Sequence, residues 1–311
     1  MYVVMQNISL KLTDRVIPEI FLRYLVKKRI KKRFKEVVGY DLNLESPQSY
    51  CEKIQWLKLN YLEHNPEIIQ CADKYRVRDY LKKQGLSDFL VTLYGCWNTP
   101  KDILWDTLPN EFVLKLNNGS GRKYMWLIPD KNSVNKNAVF KDVYWALRNN
   151  FGYKHGEFHY RKIQPKIMAE EYLKDNRKDI RDYKFYCFNG DIAFLSIEQG
   201  RRTTKHVRGY YDTNLNKAPV KFVDDLDEPD PPFERPGNFE TMIDIAQQLS
   251  KGHPHVRVDL YNTDGRIYIG ELTFAPECGY TPWDPVELDF EYGKRINLDI
   301  AQSFLKSNQI A

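Results

Sequence analysis

The chain has 311 residues, of which 42% are hydrophobic and 14% aromatic, with 16 Gly, 16 Pro and a formal net charge of +5. That length supports two or three lobes with substantial cores, and the composition excludes collagen-like, low-complexity and disordered classes. No repeat recurs at a solenoid period, and charges interrupt every apolar tract before the ~20 residues of a membrane span. The opening "MYVVMQNISLKL" lacks a basic start, a compact apolar run and a small-residue cleavage site. No secretory signal is therefore expected. Cys51, Cys71, Cys96, Cys187 and Cys278 are scattered and never form a CxxC pair. They read as reduced thiols of a cytoplasmic protein, against a disulfide framework or a zinc site.

In chain order, "IPEIFLRYLV" offers Ile17, Ile20, Phe21, Tyr24 and Leu25 at helical spacing, and "KKRIKKRFK" at 27–35 packs seven cations into nine positions. Two readings stand: a solvated helix that packs this stripe on the body, or a basic amphipathic segment touching an anionic membrane face or glycan. No nucleic-acid motif accompanies the run, so no such partner is expected. "ESPQSYCEKIQWLKLNYLEHNP" predicts a helix capped by Ser46, with Pro47 in its first turn and Tyr50, Ile54, Leu57 and Tyr61 on one face. "DKYRVRDYLKKQG" predicts a second, from Asp73 to Gly85. The strand "FLVTLYG" follows, then "EFVLKL" opening onto "NNGSGR", with "YMWLI" returning beside it. "NAVFKDVYWALRNNFG" predicts a helix ending at Gly152. From 166 onward come the strands "KIMAEEYL", "RDYKFYCFNG", "DIAFLSIEQG" and "VRGYYDT". The helix "NFETMIDIAQQLSKG", the strand pair "HVRVDLY" and "RIYIGELTF" and a helical C-terminal segment complete the chain. The pattern predicts an α+β protein with antiparallel sheets and at least two lobes.

Three constellations carry chemistry. In "KLNNGSG" a lysine ends a strand at a loop whose glycines let backbone N–H groups approach phosphate oxygens; a plain hairpin turn is the alternative. In "PKIMAEEYL" an apolar strand ends in two glutamates, where edge backbone groups and one carboxylate suit an adenine; an ordinary strand leaving the core is the alternative. In "HVRVDLYNTDGRIYIGELTFAPECG" Asp259 and Glu271 stand among apolar residues on two strands joined by a tight turn, and their parities allow the same face. Ionised carboxylates so placed repel unless a cation holds them, and hard oxygen ligands select magnesium. Arg257 points to that same face and suits charge on a transferring phosphoryl group; a salt-bridge network is the alternative. His253 with His255 and the loop residues His155, Glu157 and His159 are weaker candidates for metal and acceptor, and Arg201, Arg202, Lys205 and Arg208 form a basic cluster.

Together, "DKYRVRDYLKKQG", "FVLKLNNGSG", "MAEEYL", "DYKFYCFNG" and "VRVDLYNTDGRIYIGELTFAPECG" resemble the ATP-grasp superfamily, and more closely its TupA-like branch from polysaccharide gene clusters, over roughly residues 45–300. The resemblance implies two α+β lobes clamping ATP: an extension at 1–45, an N-terminal subdomain at 46–110, a small lobe at 111–175 with phosphate loop and hinge, and a large lobe at 176–311 with the metal and acceptor site. It implies Lys74 and Lys115 on the phosphates, with Asn117, Asn118, Gly119, Ser120 and Gly121 covering them. Glu170, with backbone groups of Glu171 and Leu173, would meet adenine, and Asp182 the ribose; Lys166 and Lys184 would join the nucleotide set. Arg257 and Lys115 would serve catalysis, and Asp259, Glu271 and Thr273 would hold Mg2+. Thr273 stands where the family's common pattern has asparagine. Arg201, Arg202, Arg208 and Gly279 would face substrate, and the basic cluster that includes Lys205 would meet an anionic glycan.

The implied activity is an ATP-dependent carboxylate–amine ligase that works through an acylphosphate and joins an amino acid or amino sugar to a sugar or polysaccharide carboxylate. It would work in the cytoplasm, with a peripheral contact at the inner membrane face. Two alternatives stay open: a glycan-modifying kinase or transferase using the same ATP site, and a non-catalytic glycan-binding module.

Overall fold

A computed structural model describes residues 19–310 apart from 120, 150, 176–179, 202–204 and 224. The chain forms α1 (Glu19–Val38), α2 (Tyr50–Asn60), α3 (Pro66–Ala72), α4 (Val77–Lys83), β1 (Leu93–Trp97), β2 (Phe112–Leu116), β3 (Met125–Ile128), α5 (Lys136–Ala146), α6 (Phe151–His155) and β4 (Ile167–Glu171). It continues with β5 (Arg181–Phe188), β6 (Asp191–Gln199), β7 (Val207–Tyr211), α7 (Phe239–Ser250), β8 (Val256–Thr263), β9 (Arg266–Thr273), α8 (Glu287–Gly293) and α9 (Asp299–Ser307). Two antiparallel sheets result, in the orders β1-β4-β2-β3 and β7-β6-β5-β8-β9. This is the α+β architecture that the strand and helix pattern predicts.

Strand alternation divides the five-stranded sheet into two unlike faces. Val256, Val258, Leu260, Tyr183 and Phe185 are buried beneath α7, whose Phe239, Met242, Ile245, Ala246 and Leu249 repeat at helical spacing. The opposite face carries Arg257, Asp259, Asp182, Lys184 and Glu198 in register: Lys184 pairs with Asp259, and Asp182 with Glu198.

Four local expectations are corrected. The α1 residues that pack are Leu22, Val26, Ile30, Phe34 and Val38. Ile20, Phe21, Tyr24 and Leu25 face outward instead, Ile20 at 83% and Tyr24 at 61% exposure; a row at i, i+4 spread over the whole helix outweighs a denser cluster at its start. Helix α2 is capped by Ser49, not Ser46, through a capping box with Glu52, because the stretch through Gln48 stays extended or bent. Asp73 does not open a helix; it closes α3 with extended backbone, and α4 begins only at Val77. Gly152 lies inside the separate helix α6 instead of terminating α5. The five cysteines are free, and among the described residues no helix is long and apolar enough to cross a membrane.

Candidate active site

Between β8 and β9 the register shifts: Thr263 pairs with Arg266 and Leu260 with Ile269, but Asp259 pairs with Glu271, leaving Gly270 as an extra residue. Uninterrupted pairing would set Asp259 against Gly270 and turn Glu271 toward the face under α7. The bulge re-aims Glu271 onto the polar face. The two acids therefore share a face because of the bulge, and the parity expectation is corrected in its reason, though not in its outcome. Glycine suits the position, since a Cβ there would meet the Tyr261 ring at 3.0 Å and the Asp259 carbonyl oxygen at 3.1 Å.

Arg257 donates to both Asp259 oxygens at 2.7 Å and reaches Glu271 Oε1 at 3.5 Å. The Thr273 hydroxyl donates to Glu271 Oε1 at 3.1 Å. Lys74 Nζ lies 3.2 Å from Glu271 Oε2 and donates to the Gly119 carbonyl at 2.9 Å. That one side chain ties the strand pair to the glycine loop. Burial raises the Asp259 pKa against the pull of Arg257. Burial also works to raise Glu271, but Lys74 and Arg257 hold it well below the carboxylate range.

On the four-stranded sheet Lys115 Nζ meets Glu170 Oε2 at 2.5 Å, with Arg78 at 3.6 Å from the same carboxylate. Asn117 is fully buried and works as a latch: its amide donates to Asp73 at 2.8 Å and to the Gln164 carbonyl at 3.0 Å, while Lys166 N–H donates to its oxygen at 2.6 Å. Its side chain is thus committed inward, where it anchors the start of the loop. Asn118 is buried, and Gly119 packs so close to Tyr124 that a Cβ would clash at 2.3 Å. Gly121 takes φ +79°, a glycine conformation; Ser120 lies outside the described residues. Lys166 Nζ donates to Asn98 at 3.0 Å. The Glu171 N–H is taken by the Thr92 carbonyl at 2.9 Å, which removes that donor from any adenine contact. Leu173 is buried beside Val91, Ile180 and Tyr268.

A third cluster follows along the polar face. Lys184 binds Glu198 closely and lies 3.3 Å from Asp182. Arg201 donates to Asp182 at 2.8 Å, and Arg208 to Glu198 at 3.0 Å and Asp225 at 2.9 Å. Arg202 lies outside the described residues. Glu198 went unnoticed in the sequence, yet "FLSIEQG" carries the same signal as Asp259, a carboxylate inside an apolar strand.

Beyond the β8–β9 pair, Glu277, Cys278 and Gly279 take consecutive left-handed conformations, with φ 47°, 56° and 72°. Helix α2 holds this segment. Lys58 donates to the Cys278 carbonyl at 2.7 Å, and Gln55 to the Cys278 and Gly279 carbonyls at 3.0 and 2.8 Å. Burial lowers the Lys58 pKa to about 8 and raises that of Glu157 beside it to about 7. Lys58, Gln55 and Arg78 carry no local signal, because each meets its partner only through the fold. His253 and His255 are buried against Phe274 and Tyr50, and among the described residues no group of three or more His, Cys, Asp or Glu converges.

The donor chemistry fits nucleotide and Mg2+. Asp259, Glu271 and Thr273 offer hard oxygens in the small number that Mg2+ takes when it also binds phosphate. Asp182 Oδ1 is buried without a hydrogen-bond partner among the described residues, which suits a ribose hydroxyl.

Two antiparallel sheets, with an acidic strand pair on the larger one, are the architecture of an ATP-grasp fold. A family model described as TupA-like ATPgrasp matches residues 52–297, and the chain belongs to that family. No curated protein matches. Among solved structures, a D-alanine–D-alanine ligase from Bacillus anthracis complexed with ATP is similar at 13% identity, over 77% of this chain and 68% of that one, with a TM-score of 0.45. An L-amino acid ligase from Bacillus licheniformis is similar at 18% identity, over 68% of this chain and 45% of that one, with a TM-score of 0.39.

Proposed function

We propose that the protein is an ATP-dependent carboxylate–amine ligase. ATP gives its γ-phosphoryl group to a carboxylate, an amine attacks the resulting acylphosphate, and inorganic phosphate leaves. Bound Mg2+ would neutralise phosphate charge, held by Asp259, Glu271 and Thr273. Lys74 and Lys115 would bind phosphates, Glu170 and Asp182 the nucleoside, and Arg257 the charge developing on the transferred group. The left-handed segment ending at Gly279 would place the acyl oxygen. Residues 111–175 would act as the small lobe and 176–311 as the large one. The reading is carried by one observation: Lys74 touches both Glu271 and the Gly119 carbonyl, so the glycine loop and the acidic pair lie side by side.

The carboxylate belongs, in this reading, to a sugar or polysaccharide precursor in surface glycan synthesis, and the amine to an amino acid or amino sugar. A cytoplasmic site fits ATP chemistry and five free thiols. The outward face of α1, with Ile20, Phe21, Tyr24 and Leu25 followed by Lys28, Lys31, Lys32 and Lys35, suits peripheral contact with an anionic membrane.

The test incubates the protein with ATP, Mg2+, sugar carboxylates and hydroxylamine as the amine. ADP, phosphate and a hydroxamate in equal amounts support the ligase. ADP with a phosphorylated sugar and no hydroxamate makes it a kinase, and no ADP makes it a binding module.

A further inference from the structure

A cavity of 290 Å³ opens beside Arg257 and runs to the N-terminal helix, where Arg33 and Val37 form part of its wall. Its volume corresponds to on the order of ten waters, room for about one sugar ring. Phe222 and Tyr280 give it flat apolar faces, while Glu198, Asp225 and Glu277 offer acceptors for hydroxyl groups.

Four cations line this cavity, and three of them are already matched. Lys184 takes Glu198, Arg208 takes Glu198 and Asp225, and Arg257 takes Asp259. Arg33 differs. Its guanidinium sits over the Tyr280 ring at 5.2 Å, and among the described residues no carboxylate lies within ion-pair distance of it. Its surroundings are cationic as well: His155 is held neutral down to about 4, first by burial and then by Lys154, Lys58, Arg33 and Arg29. The cavity therefore keeps one unmatched cation, Arg33 at the rim, while Arg257, paired with Asp259, marks its buried end.

We propose that this cavity is the acceptor site and that Arg33 of α1 reads a second anionic group, at the end of the acceptor remote from the reacting carboxylate. The inference rests on the ligase reading, since the Arg257 end is where the phosphoryl group would arrive. A ring-sized, polyhydroxylated acceptor whose reacting carboxylate lies at the Arg257 end meets Arg33 with a second anion; a monoanion leaves Arg33 unmatched. The second charge can be a carboxylate or a phosphate, because a guanidinium accepts either.

Calorimetric titration in the presence of Mg2+ and a non-hydrolysable ATP analogue tests this with glucose, glucuronate, glucarate and glucuronate 1-phosphate. A charge-assisted contact predicts that at least one dianion binds tenfold or more tighter than glucuronate, and which one identifies the second anion. Arg33→Gln should remove that advantage while leaving glucuronate affinity within about twofold, and Arg33→Lys should restore part of it. Retained ATP-analogue binding in each variant reports an intact fold. Equal affinity for mono- and dianions, a dianion advantage that survives Arg33→Gln, or no sugar binding to a nucleotide-loaded protein overturns the proposal. Failure to bind the ATP analogue at all overturns the ligase reading beneath it.

Discussion

Gly270 sets the direction of Glu271. A methyl group at that position meets the Asp259 carbonyl, which is backbone and yields little, so Gly270→Ala is expected to cost about 1–3 kcal/mol. Thermal unfolding measures this, and a midpoint equal to wild type would mean that the bulge tolerates a side chain. Glu271→Gln is the complementary change. It keeps shape and the Thr273 contact but removes the charge that Lys74 and Arg257 balance. ATP turnover should fall at least ~100-fold with the unfolding midpoint nearly unchanged; wild-type turnover would remove Glu271 from the metal set. The acids themselves are legible in sequence, since a carboxylate between apolar strand residues is costly without a cation. The lone glycine inside "RIYIGELTF" is the signal for the bulge, because glycine in a strand interior marks such irregularities.

At the scale of elements, α1 shows how two periodic patterns compete on one helix. Its buried row runs Leu22, Val26, Ile30, Phe34, Val38, so the adjacent cluster of Ile20, Phe21, Tyr24 and Leu25 turns outward in line with Lys28, Lys31, Lys32 and Lys35. Interfacial lysines contribute about 1 kcal/mol each near an anionic surface. Co-sedimentation with phosphatidylserine-containing vesicles should therefore drop several-fold when Lys28 and Lys31 become Gln, and salt should weaken it. Equal binding to neutral phosphatidylcholine vesicles would exclude the electrostatic contact. The order of the strands was legible because each is a local apolar run, but the first lies at Leu93–Trp97 and not from Phe89 as "FLVTLYG" suggested, since Ser87–Phe89 forms a 3-10 turn. The contacts of Lys58 with Cys278 and of Arg78 with Glu170 were not legible, since they join residues 220 and 92 positions apart.

Over the whole molecule, burial of uncharged imidazoles ties stability to pH. Burial lowers the His159 and His255 pKa values to about 3 and that of His253 to about 4, against 6.5 in an unfolded chain. Between those limits the unfolded state binds more protons on these histidines, so their contribution to stability is full above about pH 6.5 and falls as pH drops toward 4, opposed in part by Glu157, whose pKa burial raises to about 7. Each imidazole adds up to ~1.4 kcal/mol per pH unit of slope in that window. Urea midpoints between pH 7 and 4.5 should decline, and His255→Gln should flatten the decline; an unchanged slope would mean that His255 is protonated without unfolding.

With the membrane contact and acceptor site proposed above, helix α1 would also set a length scale for delivery. The lysine row and Arg33 occupy different flanks of one rod whose body is about 10 Å across. An acceptor carried on a lipid or polymer tether, moored where the lysines touch, needs a leash of only about that diameter to reach the Tyr280 wall. Docking and feeding would then be one event, and loosening α1 would slow the use of tethered acceptors more than that of small free ones.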